Sequence, residues 1–99
     1  MQVYTLPDIT PNGAKVNIGA TATANGMPTK AIIIDMCATG TSVRTGDTNI
    51  GASRGVKLSN GATVVAYPRQ DNPQTPWDLN LIDVYAGSGS DSVSITYGL

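Results

Sequence analysis

Asp35 and Asp83 each interrupt an otherwise aliphatic run, and two carboxylates flanking a bond are the usual apparatus of glycoside hydrolysis. The surrounding residues do not supply the rest of such a site, because no acid-binding pocket or aromatic platform is suggested beside either one. The simpler reading sends both carboxylates to a polar or interface side, or pairs them with Arg44 or Arg54. Other reactive groups are scarce. The chain has no His and no Glu, so seven Asp, three Lys, four Tyr and a lone Cys37 are all that remain for acid, base or nucleophile. Each would need a large pKa shift to work near neutral pH. Cys37 lies in the apolar run Ala31 to Ala38, where a small buried hydrophobe is expected and no disulfide can form within the chain. Catalytic residues, metal ligands and cofactors are therefore all expected to be none, and the chain is read as a non-enzyme.

Three further segments carry binding chemistry. Gly46-Asp47-Thr48-Asn49 has the look of a Ca²⁺ loop but lacks the regular carboxylates and closing Glu of an EF-hand, so an Asx turn is expected. Trp77 follows Pro76 in a loop otherwise made of Arg69, Gln70, Asp71, Asn72 and Gln74. Three readings stand open for it: a lid over one end of the core, an interface anchor, or a sugar-stacking platform. Residues 1–13, with Tyr4, Leu6 and Ile9 between prolines, read equally as an arm that adds a strand to a neighbour or as an ordinary edge strand.

The elements that must position these groups are strands. Val16, Ile18, Ala20 and Ala22 alternate with Asn17, Gly19, Thr21 and Thr23, the period of a half-buried strand. Ala31 to Cys37 reads as a central strand, and Thr63 to Tyr67 and Leu79 to Ala86 as two more. Ser92 to Tyr97 alternates with Val93, Ile95 and Tyr97 on one face. Asn12-Gly13, Asn25-Gly26 and Asn60-Gly61 suit type I′ turns, and Gly87 to Asp91 reads as the loop of a final hairpin. Pro68, Pro73 and Pro76 mark 69–78 as unable to continue a ladder. No window carries a capped helical period. The expected fold is all-β, a compact antiparallel sandwich or jelly-roll-like barrel of about seven to nine short strands, in one domain over residues 1–99.

Charge narrows the partners. Net charge is −1 and charged residues make up 13% of the chain, with no basic stripe, so neither nucleic acid nor a membrane surface is expected. Low charge in a β-rich protein instead raises the question of what protects its strand edges, and burial in an assembly is one answer. The N-terminus lacks the basic and long apolar regions of a signal peptide, so synthesis in a cytoplasm without autonomous export is expected.

The segment from Ser42 to Leu58, S-V-R-T-G-D-T-N-I-G-A-S-R-G-V-K-L, is followed by N-G-A-T-V-V-A-Y and later by L-I-D-V-Y-A-G-S-G-S-D-S-V-S-I-T-Y. This pattern resembles small virion proteins of tailed bacteriophages, head decoration or cement proteins among them. Arg44, Gly46, Asp47, Arg54, Gly55, Leu58, Val84, Tyr85, Gly87, Gly89, Val93, Ile95 and Tyr97 carry the match, over about the C-terminal two thirds of the chain. The resemblance implies a small β-domain on the capsid exterior, a homotrimer that clamps the major capsid protein. Trp77, Arg69, Tyr4 and Leu6 are then the expected contact residues, with Arg44 and Arg54 holding loops or subunit contacts. The rival expectation is a receptor- or carbohydrate-binding module of a phage tail or fibre, binding through the loops around Trp77 and Gly87 to Asp91.

Overall fold

The computed structural model describes residues 2–61, 63–67 and 75–99, with side chains omitted for residues 64–67. Ten strands form among them: β1 (Val3–Thr5), β2 (Lys15–Asn17), β3 (Lys30–Ala31), β4 (Ile33–Thr39), β5 (Val43–Gly46), β6 (Val56–Lys57), β7 (Thr63–Tyr67), β8 (Trp77–Asp78), β9 (Asp83–Ala86) and β10 (Ser92–Gly98). They pair antiparallel into a first sheet β1-β10-β4-β7, a second sheet β2-β9-β5-β6 and a small ribbon β3-β8. The protein is mostly β, with compact antiparallel sheets.

The longest ladder joins β10 to β4 from Ser92↔Thr39 to Gly98↔Ile33. Alternation in both strands sends Val93, Ile95 and Tyr97, with Ile34, Met36 and Ala38, into one buried cluster. Val43, Val84 and Ala86 of the second sheet join that same cluster. At about 1.5–3 kcal/mol for each fully buried Val, Leu, Ile or Met, these side chains do the work that Phe does elsewhere.

Residues 18–24 depart from the expected strand. β2 stops at Asn17, and Ile18–Ala24 forms the helix α1. Asn17 is its cap: the side-chain oxygen accepts from Ala20 N at 2.8 Å, satisfying a backbone donor that a strand would leave to a ladder. At the other end Asn25 Nδ2 donates to Thr21 O, and Gly26 takes the positive φ of 68° that turns the chain out. Alanine favours helix, and the buried positions Ile18, Gly19 and Ala22 follow helical rather than alternate spacing. The helix lies against a 3₁₀ turn, Leu79–Leu81, at Gly19, where a Cβ would stand 2.6 Å from Asn80 N.

That turn is a second departure. Residues 79–86 are not one strand, because Asp78 Oδ1 accepts from Asn80 N and starts the 3₁₀ turn before β9 begins. Trp77 and Asp78, expected outside any ladder, pair with Ala31 and Lys30. The final hairpin is not formed either: β9 belongs to the second sheet and β10 to the first, so Gly87 to Asp91 crosses between sheets. Ser42 holds the crossing in place. Its hydroxyl donates to Asp91 Oδ2 at 2.5 Å and accepts from Gly87 N and Ser88 N. Of the three Asn-Gly pairs, Asn12-Gly13 has positive φ at both residues (53° and 79°). At Asn25-Gly26 and Asn60-Gly61 only the glycine does.

Candidate functional site

Asp35 and Asp83 sit on different sheets and line separate recesses that share no residue. Asp83 is buried, and Asn17 Nδ2 donates to its Oδ1 at 2.8 Å. It lies in a concavity of about 480 Å³ with Asn17, Asp47, Thr48, Asn80 and the exposed Leu81. Asp35 lies on the face of the first sheet away from the core, in a recess of about 180 Å³ with Val3, Ile33, Thr96, Tyr97 and Gly98. Its Oδ1 is buried without a hydrogen-bond partner. Among the described residues neither carboxylate takes a bond from Arg44 or Arg54, so that arm of the expectation is not met; the outward face of Asp35 fits the other arm, a polar or interface side. Arg44 donates to Gly55 O at 2.9 Å and fastens the β5–β6 connection, while Arg54 is exposed and bridges Gly51 through its backbone.

The remaining polar groups serve local structure. Asp47 forms the expected Asx turn, accepting from Asn49 N at 2.9 Å. Asp78 takes its bond from Asn80 N and, 3.3 Å away, the half-exposed Lys30 ammonium. In that order these hold its carboxyl below the ordinary value against the opposing cost of burial. Asp91 is likewise lowered, first by the Ser42 hydroxyl and then by the Ser42 backbone N–H. Tyr97 donates to Pro28 O at 2.6 Å; burial, with Tyr4 beside it, pushes its hydroxyl pKa up from 10.0.

Trp77 is half-buried and packs against the core cluster. Leu6 is itself core, 2% exposed, with its N–H bonded to Ile95 O. Tyr4 stacks on Tyr97 with ring centroids 5.6 Å apart. Arg69 lies outside the described residues. The structure therefore places Tyr4 in β1 and Leu6 just after it, both against β10. It leaves Trp77 on the β3-β8 ribbon and both described arginines at the β5–β6 end of the second sheet.

A difference between strand edges was not read from the sequence. Among the described residues, β1 and β7 of the first sheet and β2 and β6 of the second each have a neighbour on one side only. Antiparallel pairing alternates the backbone groups, so every second residue points its N–H and C=O away from the sheet. Ile18 N bonds Ile82 O and Leu58 N bonds Val43 O, which leaves Lys15 outward on β2 and Lys57 outward on β6. Both are exposed lysines, the charge that discourages another strand from docking. On β1, Gln2 and Leu99 exchange bonds and Leu6 N bonds Ile95 O, so Val3 and Thr5 point outward. Val3 is 65% exposed, Thr5 is exposed, and no residue from Gln2 to Leu6 is charged. The uncharged stretch was visible in the sequence, and an edge strand was one of the two readings of residues 1–13; which of its backbone groups face outward was not visible.

No protein-family model matches the chain, no curated protein matches it, and no solved structure matches its fold.

Proposed function

We propose that this chain is a structural β-domain that acts by assembly and makes or breaks no bond. In its finer form the proposal is a virion protein of the head decoration kind, on the exterior of a tailed-phage capsid, binding the major capsid protein and itself. The two four-stranded sheets would then be the layers of a β-sandwich around the shared core. One observation carries the reading: one edge of the first sheet, β1, is exposed and uncharged, and among the described residues nothing covers its outward backbone. Asp47, Asp78, Asp83 and Asp91, by contrast, are already engaged in internal hydrogen bonds. Several modest contacts on linked copies give tight binding without any strong single site. The resemblance sets the expected copy number at three.

Co-sedimentation of the purified chain with capsids lacking it, but not with tails or host cells, is the expected result. A chain that stays in the supernatant with capsids contradicts the proposal. The second reading, a carbohydrate-binding module, is favoured by the concavity holding Asn17, Asp47, Thr48, Asn80 and Asp83, whose carboxylates and amides match sugar hydroxyls. Glycan binding lost in Asn80→Ala with the fold intact would favour it.

A further inference from the structure

We infer that β1 is the site at which a second copy of this chain docks, strand against strand, about a two-fold axis passing beside Tyr4. The inference rests on the same open edge as the assembly reading and goes beyond it, replacing the three copies that the resemblance implies with a two-fold pair.

The geometry of the edge is self-complementary. Two antiparallel β1 strands related by a two-fold at Tyr4 place Val3 of each copy opposite Thr5 of the other. Val3 and Thr5 are the residues whose N–H and C=O point outward, so both opposed pairs can exchange two bonds each. A two-fold contact uses the same patch on both copies, which requires that the patch tolerate its own charge. Gln2 to Leu6 carries none, whereas β2 and β6 would each bring a pair of outward lysines into the contact. β7, the other edge of the first sheet, is also uncharged, but its register shifts between the pairings with Ile34 and Asp35, which interrupts a regular outward row. Pro7 then ends the pairing strand by removing the next outward donor. Docking would join the two first sheets into one continuous sheet. It would also cover Val3, the apolar rim of the Asp35 recess.

Sedimentation equilibrium of the full chain tests the stoichiometry. A dimer is expected; a trimer, or a monomer up to millimolar concentration, overturns the inference. A trimer would leave the capsid reading standing, while failure of capsid binding would leave the dimer standing. Val3→Lys places a charge on an already exposed position, and Thr5→Pro deletes an outward donor while sparing the backbone bonds to β10, losing there only the 3.3 Å contact between the Thr5 and Thr96 hydroxyls. Each should weaken the dimer about tenfold or more. Val56→Lys, on another exposed edge, should leave it unchanged. If it weakens the dimer equally, β1 is not the contact.

Cross-linking reads the register. In a Cys37→Ser background, Tyr4→Cys should form a disulfide with its own copy, because that pair faces across the axis at close Cα spacing. Val3→Cys should not, since its two copies are offset along the strand. Cross-linking of Val3→Cys in preference to Tyr4→Cys contradicts the proposed register, and a helical or unfolded circular dichroism spectrum identifies a variant that failed to fold.

Discussion

The two four-stranded sheets solve the same problem with different means. The first is built on the long β10–β4 ladder, whose inward side chains are large and fully buried. The second has strands of two to four residues and leans on side-chain bonds between strands and to its loops: Asn17 to Asp83 across β2 and β9, Arg44 to Gly55, Ser42 to the crossing and Lys15 to Thr48 O. The short-stranded sheet also guards its edges with lysine, whereas β1 of the long-laddered sheet carries no charge. Strength inside the first sheet coincides with openness at its edge. That combination suits a domain that holds its shape while another chain pairs with it.

Breaking the first sheet should cost most. Ile95→Ala at the centre of β10 is expected to lose about 2–5 kcal/mol in urea unfolding, because the cavity lies among fully buried neighbours. A loss below about 1 kcal/mol would mean that the ladder does not carry the core. Gly19→Ala comes next, at about 1–3 kcal/mol, since the new methyl meets the backbone of Asn80 and cannot be relieved by a side-chain rotation. Thermal unfolding measures it, and an unchanged midpoint would show that α1 and the 3₁₀ turn are not packed as described.

Ser42→Ala sharpens the contrast, because it removes the hydroxyl bonds that fasten the sheets, keeping the Ser42 backbone bond to Asp91, without opening a cavity. About 1–3 kcal/mol should be lost. The same fastening is pH-dependent. Asp91 has a lowered pKa when folded, so its contribution is complete above the ordinary value of 3.8 and disappears as pH falls through the lower folded value. Asp91→Asn should flatten that acid limb in a pH series of unfolding midpoints.

The smallest effect is expected for Tyr97→Phe, about 1 kcal/mol for the bond to Pro28 O. The raised hydroxyl pKa means that the unfolded chain ionises first. Stability should fall as pH rises above about 10, and the phenylalanine variant should lose that alkaline limb.

How far the sequence revealed this arrangement depended on side-chain contrast. Ser92 to Tyr97 was legible because Val, Ile and Tyr alternate with Ser and Thr, and only a strand buries that set on one face. Residues 18–24 alternate just as regularly, but Ala, Thr and Gly differ too little in bulk for the alternation to dictate a strand. The cap at Asn17 decided the matter instead. The last loop could not disclose that β9 and β10 join different sheets, since glycines and serines permit a hairpin or a crossing equally well. Among the expected contact residues, Tyr4 was placed on the open strand, whereas Leu6 is core. The lysine guards gained meaning only once pairing fixed which backbone groups face outward.

Amide hydrogen exchange at the first strand tests the central claim most directly. Gln2 donates to Leu99 just past β10, Tyr4 and Leu6 donate to β10 itself, and all three should be protected at any concentration. Val3 and Thr5 face outward, so their protection requires a second strand. The account predicts that both slow together as protein concentration rises, and that Val3→Lys abolishes the slowing at Thr5. Free exchange of Val3 and Thr5 at every concentration, with or without capsids, would contradict it.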